Sequence, residues 1–336
     1  MAVVTTAPPA GDRAELIDPE GPVELGAVLF PLRRGTGDPT QVWEGERGGA
    51  GPVWRGQLTP DGPATIRMHA LGPGARGGID VRAWGPGADW SLTHARELLG
   101  LDDDGWPTFD ALLAGLAAEG DPAAAALQRL RRRRPGLRLL RTGIVLESAV
   151  AAVLEQKVTG VEARRSWRQL IRAHGAEAPG PAPAGMRTLP TAEAWRRIPD
   201  HEWHRAGTTP ARRDTIRRVA AVAPALQRTI AVGRNAGADE RLVAGFRSIP
   251  GLGGWTLAEI VQRAHGDPDT VSAGDYHLAH DVTHWFTGKR GDDAEMMALL
   301  EPYRGHRQRV VRYIEGSGVE TPRYGARMTI EDHRER

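Results

Sequence analysis

The sequence contains no cysteine among its 336 residues. This absence excludes a disulfide framework, a thiolate zinc site, a cysteine-held iron–sulfur cluster and a cysteine nucleophile. Lysine is nearly absent as well, because Lys157 and Lys289 are the only two and the other 42 basic residues are arginines. Chemistry that needs a lysine amine, such as Schiff-base formation, therefore has few candidate residues.

Long apolar runs are also missing from the chain. No segment reaches the roughly 18 consecutive apolar residues that a membrane-spanning helix needs. The N-terminal residues lack the charged and apolar regions of a secretory signal. Together with an apolar fraction of 40%, these features predict a soluble, cytoplasmic protein with a folded core and no membrane partner.

The charges are unevenly distributed along a chain whose formal net charge is only +2. Residues 122–146 contain seven arginines and no acid, and residues 303–314 contain four arginines and no acid. Acids collect elsewhere, at 102–104 and 291–295. The arginine run at 129–134 is most simply a solvated helix end, with nonspecific phosphate contact as the alternative. The distribution is more informative than the small total.

The local patterns predict an α+β protein with a small antiparallel β-rich N-terminal domain followed by an all-helical domain. Residues 21–108 alternate short apolar runs, such as 23–30, with Gly/Pro turns, and period-two stretches at 64–70 and 79–83 favour an antiparallel sheet. Residues 109–316 carry helical spacing. Flexible tails are predicted at 1–20 and 317–336.

Eleven helices are predicted in the second domain from the spacing of apolar residues. A twelfth, short helix at about 92–99 is predicted to close the β-rich domain. The predicted ranges are 109–118, 122–133, 145–157, 161–174, 191–198, 210–224, 238–247, 255–265, 275–286, 293–300 and 305–315.

A glycine-rich turn separates two of these helices and has the order I-P-G-L-G-G-W-T over residues 249–256. The glycines at 251, 253 and 254 permit backbone conformations closed to other residues and let a foreign backbone approach closely. The helix that begins at Trp255–Thr256 presents unpaired N–H groups, which suit a phosphate. The alternative is an ordinary helix–turn–helix corner that binds no ligand.

This string resembles the hairpin of the helix-hairpin-helix DNA glycosylase superfamily, whose pattern is hydrophobic-Pro-Gly-hydrophobic-Gly-x-x-Thr/Ala. The resemblance extends over residues 22–316, through the helix IVLESAVAAVLEQKVTG and the closing segment EPYRGHRQRVVRYI. The β-rich domain resembles the accessory domain of 3-methyladenine DNA glycosylase II proteins. The resemblance thus implies a helical glycosylase domain at 109–316 with its hairpin at 249–256.

The resemblance implies that Asp275 is the catalytic carboxylate, which stabilises positive charge on the sugar and orients the attacking water, because it lies about twenty residues after the hairpin in a Gly/Pro-rich segment. Taken alone, an Asp before a helix is more often an N-cap, and one carboxylate can serve both roles. Trp255 and Tyr276 would contact a flipped base, and Glu259 would line its pocket. The implied DNA-binding residues are Gln156, Lys157, Gly251, Gly253, Gly254 and Thr256.

The implied reaction is hydrolysis of the N-glycosidic bond of a damaged base in double-stranded DNA, as a step of base excision repair. Bifunctional relatives carry a lysine where this chain has Trp255, so the resemblance implies a monofunctional enzyme that leaves an abasic site. An alkylated purine is the leading substrate and hypoxanthine the next. No cofactor or iron–sulfur cluster is implied, although the hairpin of the superfamily often holds a structural monovalent cation. A monomer is expected.

Several alternatives stay open at this point. Lys157, Glu259 and Glu315 depart from the residues common in the family, which keeps a noncatalytic DNA-binding protein as the main rival. A protein-interaction module that uses the hairpin surface is a weaker one. The histidines at 277, 280 and 284 with Asp281 have a spacing found in metal ligands, but a surface cluster at a helix start is the favoured interpretation and no metal is predicted.

Overall fold

A five-stranded antiparallel sheet occupies the N-terminal part of the computed structural model, which describes residues 13–45 and 51–318. Its spatial order is β1-β5-β4-β3-β2. A two-residue turn at 60–61 joins β3 to β4, with Thr59 opposite Gly62. The Asp61–Gly62 pair predicts a hairpin turn here, and the observed turn lies one residue earlier. The strands are β1 (Arg13–Ile17), β2 (Gln41–Trp43), β3 (Val53–Thr59), β4 (Gly62–Ala70) and β5 (Ile79–Trp84).

Two predictions for this part of the chain are wrong in detail. The tail predicted at 1–20 includes β1, which pairs with β5 along its whole length at the sheet edge and buries Ile17. Its other side chains are exposed, so the strand depends on main-chain pairing and shows no apolar alternation. The apolar run at 23–30 forms helix α1 (Leu25–Leu29) rather than a strand. Residues 1–12 and 319–336 lie outside the described part, and with them nearly all of the predicted C-terminal tail.

Helices joined by loops make up most of the described residues after β5. α2 (Ala88–Thr93) and α3 (Ala95–Leu98) close the β-rich part, and a π-helical turn over Val261–His265 extends α13. The predicted helix at 210–224 is two helices, and α9 falls in a stretch for which no helix was predicted. The others are α4 (Trp106–Ala118), α5 (Pro122–Arg133), α6 (Val145–Glu155), α7 (Gly160–His174), α8 (Ala192–Arg197), α9 (Asp200–Arg205), α10 (Pro210–Ala221), α11 (Ala223–Arg228), α12 (Glu240–Arg247), α13 (Gly254–Ile260), α14 (Leu278–Thr287), α15 (Asp293–Leu300) and α16 (Arg307–Glu315).

Helix α6 is at the centre of the larger helical core. It is buried from Val145 to Leu154, apart from the half-buried Leu146, and packs against α7, α10 and α13. A second helical core joins α4, α5, α14, α15 and α16. An apolar helix surrounded by other helices explains why 145–157 reads as apolar on nearly every side. The hairpin therefore rests on a fully buried helix.

Buried ion pairs connect the parts of the molecule. Arg55 of β3 pairs with Glu147 of α6, and Arg309 of α16 pairs with Asp103 at 2.6 Å, with both side chains fully buried. Breaking such a pair leaves an uncompensated charge, which typically costs about 3–5 kcal/mol. Among residues 13–45 and 51–318, no helix is both long and apolar enough to cross a membrane.

Candidate functional site

The Asp275 carboxylate is fixed by contacts at both oxygens. Oδ1 accepts the backbone N–H groups of His277 at 2.8 Å and Leu278 at 3.0 Å, at the start of α14. Oδ2 accepts the indole N–H of Trp255 at 3.2 Å. The side chain is half-buried. Asp275 thus accepts the backbone N–H groups at the start of α14, as a capping carboxylate does, and also lines the cleft described below.

Trp255 and Glu259 lie one turn apart on the same face of α13. The Trp255 ring is half-buried, with its N–H directed at Asp275. Glu259 is 9% exposed, and its carboxylate accepts the Ser272 hydroxyl at 2.7 Å and pairs with Arg263 at 2.7 Å. Burial raises the pKa of the Glu259 carboxyl, and Glu155 adds to the rise, whereas Arg263 opposes it.

A cleft of about 1200 Å³ opens in front of these residues. Trp255, Glu259 and Asp275 form part of one wall. The β-rich part supplies another wall, and the closing helix α16 completes it. Other lining residues include Phe30, Arg33, Arg34, Trp43, Glu155, Leu278, Asp281, Gln308, Arg312 and Glu315. The volume exceeds that of many small-molecule pockets, so a nucleobase could enter it.

The hairpin glycines have different surroundings. Gly251 has φ +99°, and a Cβ there would lie 2.0 Å from Thr215 Oγ1, so only glycine fits. Gly253 and Gly254 face open space, with no atom within 4 Å of a Cβ built on either. The first hydrogen bond of α13 runs from the Leu257 N–H to the Gly253 carbonyl at 2.9 Å. The preceding N–H groups thus lie at a helix N-terminus beside an open surface.

Gln156 braces the hairpin from the end of α6. Its Nε2 donates to the Gly251 carbonyl and to Thr256 Oγ1, both at 2.8 Å. Thr256 is buried. The structure therefore gives Gln156 and Thr256 supporting contacts within the protein, whereas Lys157 next to them is exposed and has a left-handed backbone with φ +53°. A non-glycine residue in this region is uncommon and often marks a functional loop.

Arg212 holds the end of α6 that precedes Lys157. It is buried in α10, and its guanidinium donates to the Leu154 carbonyl at 2.9 Å and the Gly207 carbonyl at 3.0 Å. A cation at the C-terminal end of a helix is favoured by the helix dipole. The position of Lys157 is thereby set by the rigid end of α6.

Tyr276 differs from its prediction in placement. Its ring is 76% exposed, is absent from the cleft lining and makes an edge contact with His277 at 4.8 Å between centroids. Glu315 does line the cleft and pairs with Arg312 at 2.6 Å. The structure thus brings Asp275, Trp255 and Glu259 together, with the hairpin and Gln156 beside them, and leaves Tyr276 outside.

Several charged and polar residues of the site escaped the sequence analysis. Arg34 pairs with Glu155 at 3.2 Å, and Gln262 contacts the Ser272 hydroxyl at 3.0 Å. The four-residue spacing of Glu259 and Arg263 could have indicated their ion pair. The contacts of Arg34 and Ser272 join distant segments, so no local pattern indicates them.

One member of the histidine cluster at 277–284, His280, has a structural role. The His280 Nδ1–H donates to the Gly291 carbonyl at 2.8 Å and thereby ties α14 to the following loop. Within 13–45 and 51–318, no group of three or more His, Cys, Asp or Glu residues is arranged to hold a metal ion.

The hairpin carbonyls are the candidate ligands for the structural monovalent cation that the resemblance implies. Those of Pro250 and Gly251 already accept hydrogen bonds, from Arg218 at 3.3 Å and from Gln156. The Ile249 carbonyl accepts the Leu252 N–H at 3.1 Å within the turn. A carbonyl oxygen has a second lone pair, so Ile249 fits a cation better than Pro250, whose neighbour is a guanidinium.

Comparison with known proteins gives two kinds of match, although no family model matches the chain. The probable bifunctional transcriptional activator/DNA repair enzyme AlkA from two strains of Mycobacterium tuberculosis is 32% identical over 190 residues, or 56% of this chain. The chain spans only 35% of the length of these curated relatives.

Solved structures match over nearly the whole chain. A 3-methyladenine DNA glycosylase from Archaeoglobus fulgidus has a TM-score of 0.69 at 16% identity, covering 90% of this chain and 97% of its own. An 8-oxoguanine glycosylase/lyase from Clostridium acetobutylicum, solved with DNA, has a TM-score of 0.62 at 10% identity, covering 88% and 93%. The α+β fold predicted from the sequence is confirmed.

Proposed function

We propose that this chain, a protein with the fold of the helix-hairpin-helix DNA glycosylases, is a monofunctional DNA glycosylase of the 3-methyladenine DNA glycosylase II type. It would hydrolyse the N-glycosidic bond of a damaged base in double-stranded DNA, with an alkylated purine as the first candidate substrate. The observation that carries the proposal is the Asp275 carboxylate, which is fixed in the cleft wall beside the hairpin and Trp255.

Asp275 would act through its negative charge. Departure of the base leaves positive charge on the deoxyribose, and a rigid carboxylate beside the sugar stabilises that oxocarbenium-like state. Oδ1 is occupied by two backbone N–H groups. Oδ2 accepts one indole N–H and keeps lone-pair capacity to orient water. An alkylated base is already cationic and needs little general acid assistance.

The base would leave the duplex before the reaction. Trp255 lines the cleft with its ring next to the acid and is the candidate stacking surface. The Glu259 carboxylate is paired with Arg263 and Ser272, so its contribution to the pocket is a buried, hydrogen-bonded wall. Tyr276, outside the cleft, would contact the DNA strand next to the flipped nucleotide.

The hairpin would hold a DNA phosphate. Gly253 and Gly254 leave the N-terminus of α13 open, so a phosphate oxygen could approach the backbone N–H groups. Gly251, Gln156 and Thr256 would keep the hairpin in shape through their mutual hydrogen bonds. Exposed Lys157 would reach the duplex beside the vacated base.

Hydrolysis without strand cleavage follows from the placement of the lysines. Neither Lys157 nor Lys289 lines the cleft, and the hairpin position that carries a lysine in bifunctional relatives holds Trp255. Lyase chemistry needs an amine that attacks the sugar. The product would therefore be an intact abasic site.

The protein would act as a monomer on DNA in the cytoplasm without a required cofactor. A structural cation at the Ile249 carbonyl would supply only hairpin rigidity and phosphate attraction.

The test uses duplexes that contain one methylated purine, one hypoxanthine or one uracil, followed by alkali to cut abasic sites. We expect breaks with the methylated purine and none without alkali. Asp275→Asn should abolish them. The matched control is Asp121→Asn, because Asp121 also caps a helix through Oδ1 and accepts an aromatic donor, Tyr303, at Oδ2. DNA binding without breaks would instead support the noncatalytic rival, and absence of both would refute the DNA-based proposal.

A further inference from the structure

The segment that presents Asp275 is tied to α13 through a buried hydroxyl. Ser272 is 3% exposed, and its hydroxyl donates to Glu259 Oε1 at 2.7 Å. The same hydroxyl accepts Gln262 Nε2 at 3.0 Å, and Gln262 also donates to the Thr270 carbonyl at 2.8 Å. The hydroxyl has one proton and that proton is engaged, so its orientation is fixed.

Ser272 and Asp275 are the first and last residues of one tight turn. The Asp275 N–H donates to the Ser272 carbonyl at 3.2 Å, and Gly274 at the third position has φ +88°, as in a type II turn. A four-residue turn of this kind has little freedom once its first residue is held. Displacement of Ser272 would therefore move Asp275.

The anchoring side chains lie on one face of α13 and its π-helical continuation. Trp255, Glu259 and Gln262 are four and three residues apart, which places them in line along the helix. Trp255 holds the carboxylate of Asp275 directly, whereas Glu259 and Gln262 hold the start of the turn. One helix thus locates both ends of the turn relative to the hairpin that precedes it.

We propose that Glu259 and Gln262, acting through the Ser272 hydroxyl, are positioning residues that set where the Asp275 carboxylate stands relative to the DNA held by the hairpin. This inference rests on the proposed glycosylase function. It gives Glu259 a different role from base contact, because both carboxylate oxygens are engaged within the protein. A carboxylate that stabilises a transition state must be held closely in place, and a 1 Å displacement can cost about a hundredfold in rate.

The experiment compares Ser272→Ala with Ser166→Ala in the full-length chain. Ser166 lies in α7, outside the cleft lining, and is similarly buried, with its hydroxyl donating to the Ala206 carbonyl at 2.7 Å. Its substitution therefore reports the general effect of removing a buried hydroxyl. Three quantities are measured for each: the single-turnover excision rate, the Kd for a duplex with a tetrahydrofuran abasic site, and Tm.

We expect Ser272→Ala to lower the excision rate at least about tenfold while Kd stays within about twofold and Tm matches that of Ser166→Ala. Gln262→Ala should also lower the excision rate. This second variant keeps the test decisive if Ser272→Ala folds poorly. Equal excision rates for Gln262→Ala, Ser272→Ala and Ser166→Ala would overturn the positioning role. Failure of the wild-type protein to excise any damaged base would instead refute the proposed function, and the positioning role with it.

Discussion

Gly253→Ala separates phosphate binding from folding at the hairpin. Gly253 has φ −89° and ψ −179°, a conformation open to alanine, and the added Cβ would meet no protein atom within 4 Å. The folded protein should therefore tolerate the methyl group with little change in stability. The gain from a less flexible unfolded chain, up to about 1 kcal/mol, is opposed by the preference for glycine over alanine at the N-cap of α13. The methyl group would instead occupy the open surface where a phosphate is proposed to approach α13.

The expected loss of DNA affinity follows from one phosphate contact. Hydrogen bonds to a charged group contribute about 1.5–3 kcal/mol, which corresponds to roughly a 10- to 150-fold rise in Kd. The slope of log K against log salt should stay close to that of the wild type, because the substitution removes no Lys or Arg that neutralises a phosphate. Fluorescence anisotropy with an undamaged duplex at several salt concentrations measures both quantities, and urea unfolding measures stability.

Two other glycine variants bracket this result. Gly115→Ala, within α4 and also surrounded by open space, should leave DNA binding unchanged. Gly251→Ala should lower both stability and affinity, because Gly251 has φ +99° and its Cβ would overlap Thr215. Wild-type affinity in Gly253→Ala would show that no phosphate sits on this hairpin.

Three further predictions test other parts of the molecule. Burial, with Arg141 adding to it, lowers the pKa of His265 to about 4, so stability should fall by up to about 3 kcal/mol between pH 6.5 and 4; urea unfolding across this range should show a smaller fall in His265→Gln. Lys157→Gly should make the slope of log K against log salt for DNA binding less steep by about 0.9. Its Tm should be no lower than that of Lys157→Ala, which keeps the left-handed strain. Equal slopes in the wild type and both variants would contradict a phosphate contact. Asp103→Asn should lower the unfolding free energy by about 3 kcal/mol because it leaves Arg309 buried without its partner, and a loss under 1 kcal/mol would contradict that pairing.

The hydrogen bonds of His265 determine the direction in which stability changes with pH. The Thr229 hydroxyl donates to the Leu226 carbonyl at 2.6 Å, so it must accept from His265 Nε2 at 3.0 Å. The neutral ring thus carries its proton on Nε2, and Nδ1 is buried with no partner. Below pH 6.5 the unfolded chain takes up a proton that the folded protein accepts only near pH 4. Stability is therefore complete above pH 6.5 and is lost as the pH falls towards 4.

Local signals explain which parts of the fold could be predicted. Helix α5 was predicted with its observed bounds, because Asp121 caps it and Pro122 begins it. The apolar run at 23–30 fits a buried strand and a helix equally well, and its tertiary surroundings determine that it is helical. The approach of Asp275 to Trp255 could be predicted only through the family resemblance.

The contacts that brace the site could not be predicted from local pattern. Gln156 and the hairpin are about 95 residues apart along the chain, and their meeting depends on how α6 packs under α13. Ser272 and Glu259 are separated by thirteen residues and a π-helical turn, so helical periodicity does not bring them together. A glutamate where the family often carries an aromatic residue suggested a base contact, and only the fold shows that its oxygens are already engaged.

The β-rich part of the chain helps to hold the loop around Lys157, which is proposed to contact DNA. Its Arg34 pairs with Glu155 at the end of α6, while Asp38 accepts the indole N–H of Trp167 in α7 at 3.1 Å. Asp38 also accepts the Arg34 backbone N–H at 2.8 Å, so one short segment holds both helices that flank Lys157. A left-handed lysine persists only where its surroundings determine it. Because the neighbouring Gln156 braces the hairpin, the same segment also restrains the surface proposed to bind phosphate.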